Sequence, residues 1–309
     1  MLMLDIRRMK VLREVAAQGS FSAAAETLNF TQSAVSQHIA ALERETGTQL
    51  VERFSRGVRL TEAGTVLVTH ADAILARLDS AEEDLAAIAG LRGGRLRLVC
   101  FQSAGATVVP RAVATFHGRH PDVELSLREA EPDEAAVLLK AGDVDLALVY
   151  DHPATMLAPG LELTHLLDDC YDALLPAGHA LADRRRLSLA DLSDDPWILS
   201  TSTCGCRQIT QSNCRDAGFE PRVAFEADET LAAQALVAAG VGVTLLPRMA
   251  LTAVHPGTVR GALKDAPVRR VLAARVEGGF HSPASDAMLQ IFQDVATEFS
   301  GPRLELAAS

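Results

Sequence analysis

The sequence predicts a multidomain chain. It has a small, helix-dominated head carrying a helix-turn-helix and a wing, one long helix, and a two-lobed α/β body. Three observations predict it. Between Ser20 and Gly47 two short helical patterns meet at a turn of a few residues, and the second has a polar face. From Leu67 to Ile88 apolar residues recur in alternating steps of four and three. Beyond residue 95, strand and helix signals alternate twice in the same order.

Residues 5–18 read as a helix with Ile6, Met9, Leu12 and Val15–Ala16 on one face. In the hairpin that follows, Ala23, Ala24 and Ala25 lie between Phe21 and Leu28, and such small side chains let two helices cross closely. Thr31 is a good N-cap for the second helix, and Phe30 before it can staple onto Val35. Val35, Ile39 and Leu42 recur at i, i+4, i+7 and face the core. Gln32, Ser33, Ser36 and Gln37 line the opposite face, with His38 beside them. An amide can pair with N6 and N7 of adenine, and a hydroxyl can serve any base edge or phosphate. Double-stranded DNA is therefore the expected ligand of this face. The plain alternative is a helical hairpin whose polar side is only solvated. Gly47 gives the helix its stop.

Two short strands, Leu50–Phe54 and Gly57–Leu60, with Ser55-Arg56-Gly57 at the bend, make a wing that presents Arg53, Arg56 and Arg59. Arginines there can reach phosphates or a minor groove, though a solvated hairpin would look the same. Thr61–Ala89 then reads as a single helix, N-capped by Thr61 with Glu62 in its first turn. Leu67, Ala71, Ile74, Leu78, Ala81, Leu85 and Ile88 form a coiled-coil seam, about 30 Å long at ~1.5 Å per residue. Such a seam predicts pairing with a second copy of the chain; packing against its own body is the alternative. Two copies would hold two recognition surfaces at a fixed separation, so the DNA site should have dyad-related halves.

Gly90, Gly93 and Gly94 mark a hinge. After it come strand Leu96–Cys100, helix Thr107–Arg119, strand Val123–Leu127, helix Asp133–Ala141 and strand Asp145–Val149. The order recurs as strand Trp197–Leu199, helix Arg207–Ala217, strand Val223–Phe225, helix Glu229–Ala239 and strand Val243–Leu246. Two such units imply two lobes with parallel-dominated sheets, whose ligands sit beyond the C-terminal strand ends near helix N-termini. That points to Gln102 and Ser103 on one side, and to Thr201, Ser202 and Thr203 on the other, as donors for a small anion or carboxylate. As helix caps alone they would look no different. The segment from about Leu263 to Val276 returns to the first lobe, and Ser285–Phe299 closes the chain as an amphipathic helix.

Composition excludes several classes. With 48% hydrophobic and 22% charged residues the 309-residue chain has the balance of a folded, soluble protein. A net charge of −11 argues against non-specific coating of nucleic acid, but residues 1–60 carry +2 and the remainder −13. A mildly basic head on an acidic body fits local phosphate contact. No signal-peptide pattern and no apolar run near ~20 residues is present, so the cytoplasm is the expected compartment. No serine-hydrolase elbow, zinc-protease helix, phosphate loop or dinucleotide glycine pattern occurs, which argues against an enzyme and implies neither cofactor nor metal.

The layout resembles the LysR-type transcriptional regulators over essentially the whole chain. The resemblance rests on Gly19-Ser20-Phe21-Ser22-Ala23-Ala24-Ala25, on Thr31 to Ile39, and on Leu42-Glu43, Gly47 to Leu50 and Arg59 to Gly64. Asp143 to Leu148 and Gly240 to Pro247 are similar to two recurring strand motifs of the family's effector domain. It implies a winged helix-turn-helix over 1–60, a dimerising linker helix over 61–89, a hinge over 90–95 and a periplasmic-binding-protein-like effector domain over 96–300. Lobe I would span about 96–165 and 266–300, and lobe II about 166–265. It further implies a homodimer through the linker helix, assembly into a homotetramer, promoter bending that changes with a small-molecule effector, and RNA polymerase as a further partner. Gln32, Ser33, Ser36 and Gln37 match the family's base- and phosphate-contacting stretch, but the pattern commonly has Pro where Ser33 stands and Arg where Gln37 stands. Ser103 matches the hydroxyl residue that often meets an effector carboxylate.

Five cysteines are an odd number and do not suggest a secreted disulfide framework. Cys204, Cys206 and Cys214 fall around a predicted helix N-terminus, where thiol pKa values tend to drop. The family's peroxide-sensing members place a reactive cysteine and its partner in this region. Cys214 occupies a similar place, but the other match falls on Gly205. A redox-responsive regulator, a metal site short of a clear fourth ligand, and inert buried thiols are the three readings.

Overall fold

The computed structural model describes residues 4–54, 57–88, 94–201 and 205–299, without the side chains of residues 79, 80, 83, 84 and 86–88. The chain divides into one unit through residue 91, with which Ala141–Asp143 also group, and another from residue 92.

The first unit is built from capped helices. Asp5 accepts from the Arg7 and Arg8 amides to start α1 (Ile6–Gln18), which stops at Gly19 in the left-handed conformation, φ 60°. Ser20 caps α2 (Phe21–Thr27), and Thr31 caps α3 (Gln32–Thr46), its Oγ1 accepting from Ala34 N at 3.2 Å. Between them Asn29 takes φ 54°, a conformation asparagine tolerates better than most residues, and this closes the turn. Val35, Ile39 and Leu42 are buried as their spacing required. On α1 the inward face is Met9, Val11, Leu12 and Val15, while Ile6 is 42% exposed. The helix starts at Ile6 itself, so that residue lies in the first turn, off the core. Phe30 does not lie folded over Val35; it is 48% exposed and its ring stacks on His38, centroids 5.7 Å apart.

Strands β1 (Val51–Phe54) and β2 (Gly57–Leu60) pair antiparallel, with Phe54 opposite Gly57. The Val58 amide donates to the Gly19 carbonyl, and a Cβ at Gly57 would sit 2.8 Å from that same oxygen. Only glycine lets the wing dock so closely on the end of α1. Thr61 Oγ1 accepts from Gly64 N at 3.0 Å and starts α4 (Glu62–Ile88).

The expected seam splits in two. Leu67 and Ala71 are buried in the unit's own core because α4 packs on α1. They are not available to a second chain. Ile74, Leu78 and Ala81 remain exposed, as does Leu85 at 67%, and the side chain of Ile88 lies outside the described residues. Of the expected hinge, Gly90 and Gly93 also lie outside them, and Gly94 opens the next strand.

The second unit starts with β3 (Gly94–Cys100), the short α5 (Gln102–Gly105) and α6 (Val108–Arg119). Then come β4 (Val123–Glu129), α7 (Pro132–Ala141) and β5 (Leu146–Asp151). β3 pairs in parallel with β4 and β5, as a β-α-β-α-β unit should. The next strand was not foreseen. β6 (Leu161–Pro176) is sixteen residues long and runs through two sets of partners. The second repeat follows: β7 (Pro196–Leu199), α8 (Gly205–Asp216), β8 (Arg222–Glu226), α9 (Thr230–Ala238) and β9 (Thr244–Pro247). β10 (Thr258–Gly261), β11 (Val268–Val276) and α10 (Pro283–Phe299) complete the unit.

From Leu161 to Cys170, β6 pairs antiparallel with β11, which also pairs with β5; from Tyr171 to Pro176 it pairs with β9 and β10. The seven-stranded sheet is therefore mixed rather than parallel-dominated, while β7 and β8 form a separate parallel pair. The repeats supply the parallel pairs, and the returning strands supply the antiparallel ones. Carboxylates hold the crossover: Asp172 accepts from Arg248 at 3.1 Å and from Arg260 at 2.7 Å, and is itself buried. Among the described residues no helix is long and apolar enough to cross a membrane.

Candidate functional site

Two surfaces carry chemistry, one in each unit. In the first, the caps and the buried Val35-Ile39-Leu42 stripe fix which side of α3 faces outward. Gln32, Ser33 and Gln37 are exposed, and Ser36 and His38 are half-buried beside them. Ser33 Oγ lies 3.0 Å from Thr31 Oγ1 at the N-cap. Arg53 donates from Nη2 to Ser36 Oγ at 2.8 Å, and its guanidinium sits 4.5 Å above the Phe21 ring. The cation is thereby held on the α3 face by a hydrogen bond and a cation–π contact. Arg59 lies across the wing over Phe54, 5.6 Å from the ring centre. Arg56 lies outside the described residues.

In the second unit the strand ends and helix starts enclose a cavity of about 80 Å³. Phe101, Ser103, Glu131, Tyr150, Cys206 and Asp228 are among its lining residues. Gln102 spans it, donating from Nε2 to Glu229 at 2.7 Å and accepting from Thr230 Oγ1 at 3.1 Å. Ser103 is buried, and its Oγ accepts from Arg269 Nη2 at 2.6 Å. The Thr201 amide donates to Asp228 at 2.8 Å. Ser202 and Thr203 lie outside the described residues.

Arg269 is the centre of this chamber, and sequence reasoning missed it. It is 1% exposed, donates to Asp169 from Nε at 3.0 Å and Nη2 at 2.8 Å, and lies 4.7 Å from the ring centres of both Phe101 and Tyr150. Burial opposes its charge, but Tyr171 and Asp169 more than offset that, and its pKa stands above the ordinary arginine value. Tyr150 donates to Glu131 at 2.6 Å. Nothing local marks Arg269, because its partner Asp169 is a hundred residues away in the chain.

The cysteines separate. Cys206 Sγ lies 3.6 Å from the Tyr171 hydroxyl, 3.7 Å from that of Tyr150 and 4.0 Å from Arg269 Nη1. Cys214 is buried in the core, where burial, with Glu220 adding to it, pushes the thiol up to about 12. Both belong to α8, eight residues apart, and a helical rise of ~1.5 Å per residue sets them about 12 Å apart. A disulfide needs Cα atoms within roughly 7 Å, so this helix keeps the two from pairing. Cys204 lies outside the described residues. Gly205 matters sterically, since a Cβ there would lie 2.8 Å from the Tyr150 hydroxyl. Among the described residues no group of three His, Cys, Asp or Glu side chains is placed to hold a metal ion.

Two family models match the chain. The bacterial regulatory helix-turn-helix protein, lysR family, matches residues 6–65, and the LysR substrate binding domain matches residues 89–297. The chain is 30% identical over 295 residues to the HTH-type transcriptional regulator ShiR of Corynebacterium glutamicum, covering 94% of this chain and 99% of the relative. It is 29% identical over 294 residues to the regulator CbbR of Rhodospirillum rubrum, covering 94% and 96%. Among solved structures, full-length CbnR complexed with its target DNA superposes with a TM-score of 0.70 at 22% identity, covering 94% of this chain and 99% of that one. A Corynebacterium glutamicum OxyR mutant with H2O2 bound gives 0.62 at 25% identity, covering 99% and 97%.

Proposed function

The chain belongs to the LysR family of transcriptional regulators, and from that premise we propose how this member works. Its DNA-reading surface is the outer face of α3: Gln32, Ser33, Ser36, Gln37 and His38 meet base edges and phosphates. Arg53, Arg56 and Arg59 of the wing meet the backbone. The observation that carries this reading is Arg53 held on Ser36, which sets a cation beside uncharged amides and hydroxyls on one exposed face. Charge then positions the protein while the amides discriminate bases. Ile74, Leu78, Ala81 and Leu85 pair α4 with that of a second chain, so the operator has dyad-related halves. Dimers associate further into a tetramer at the promoter, where RNA polymerase is met. A small effector enters the chamber bridged by Gln102 and shifts promoter binding by favouring one closure of the lobes. Selection from a random pool of duplex DNA by the full chain tests the reading: a shared sequence with two-fold symmetry is expected.

A second, redox-responsive reading is favoured by the surroundings of Cys206. A guanidinium at 4.0 Å and the Tyr171 hydroxyl, which donates at 3.6 Å, favour negative charge on sulfur, the nucleophilic form. The likeness to the OxyR mutant solved with H2O2 points the same way. Promoter binding measured before and after peroxide, with Cys206→Ser alongside, tests it.

A further inference from the structure

The chamber in the second unit holds a charge balance that the hydroxyl and amide donors of its rim conceal. Among its described lining residues the single cation is Arg269, set against two carboxylates, Glu131 and Asp228. That cation is already shared with Asp169, which takes two of its N–H groups, while Ser103 takes a third contact. Aromatic faces enclose the guanidinium, so little of it is presented to an incoming molecule. Arg207, which reaches the Ser200 carbonyl at the chamber wall, pairs with Glu226 at 2.5 Å. The start of α8 contributes about half a positive charge, too little to balance two carboxylates. A third carboxylate, Glu229, stands at the rim on Gln102.

We infer that the effector of this protein is a small cation, an alkylammonium-type amine seated against Glu131 and Asp228, rather than the small anion its rim suggests. An ammonium offers three donors and no acceptor, which complements the carboxylate oxygens of Glu131 and Asp228. A carboxylate entering the same space meets like charge in a partly desolvated chamber. The volume of about 80 Å³ admits only a few non-hydrogen atoms beyond the charged group. The inference rests on the chamber being the effector site.

Trp197 is buried in the core and does not line the chamber, so titration calorimetry of the full-length protein is used to read occupancy directly. Butylammonium and butyrate, matched in size, are titrated in parallel. Butylammonium is expected to bind at least about tenfold more tightly, with Glu131→Gln lowering its affinity about tenfold, the loss of one charge-assisted contact. Glutamine keeps an acceptor for Tyr150, and Asp228→Asn, which keeps one for Thr201, serves as the independent variant. Tighter binding of butyrate, weakened by Ala227→Leu filling the chamber, overturns the cationic class and leaves the chamber as the effector site. Butylammonium binding that Ala227→Leu leaves intact overturns the chamber reading itself. Binding of neither probe also overturns the inference.

Discussion

Arg53 on the wing and Ser36 on α3 meet at 2.8 Å, with the Phe21 ring 4.5 Å beneath the guanidinium. An arginine free in solvent loses much of its rotamer freedom when it contacts DNA; this one is ordered beforehand. The family pattern commonly has arginine where Gln37 stands, and here the wing brings a cation to the same face instead. Arg53→Ala should weaken DNA binding about tenfold and reduce the salt slope by roughly one. Arg53→Lys should restore the slope but little of the affinity, because an ammonium cannot both stack on Phe21 and reach Ser36. Anisotropy titrations at several salt concentrations measure both.

Ala71 and Leu78 sit seven residues apart on α4 with opposite fates, one buried in the first unit and the other exposed. Leu78→Glu should give a folded monomer, because Leu78 is exposed and belongs to the seam proposed to pair two chains. Ala71→Glu should unfold the first unit, since a carboxylate there is buried without a partner, at a cost of several kcal/mol. Sedimentation with circular dichroism distinguishes the two outcomes.

Arg269 and Asp169 are both nearly inaccessible to solvent, so removing either strands the other as a buried charge. Arg269→Met should destabilise the second unit by about 3–5 kcal/mol, and the double variant Arg269→Met with Asp169→Leu should recover most of it. Chemical denaturation monitored at Trp197 reads both.

Burial raises the thiols of Cys100 to about 11 and Cys214 to about 12, far above working pH. Neither should react with iodoacetamide in the native protein at pH 8, where both stay protonated. Cys206, beside Arg269, should be alkylated first. Mass spectrometry of partially labelled protein gives the order.

Much of the first unit was legible because its signals are local. Thr31 three residues before Ala34, the Val35-Ile39-Leu42 stripe and Gly47 decide α3 without reference to the rest of the chain. The same local reading misassigned Leu67 and Ala71, since a heptad pattern records that a face is apolar and not what covers it. β6 was lost for the opposite reason. Asp168, Asp169 and Asp172 make it look like a solvated loop, but Asp169 and Asp172 are neutralised by Arg269, Arg248 and Arg260 from 76 to 100 residues downstream. Pairings at that separation leave no periodic trace. The chamber depended on them, so Gln102 and Ser103 at its lining could be named from the sequence and its charged interior could not.

Gln37 tests the central claim most directly. On the duplex recovered from a random pool by the wild-type chain, Gln37→Ala should lose about 1–3 kcal/mol of discrimination against a scrambled duplex while non-specific affinity and oligomeric state hold. If Gln37→Ala selects the same sequence and binds it as tightly as the wild type, α3 does not read DNA through this face.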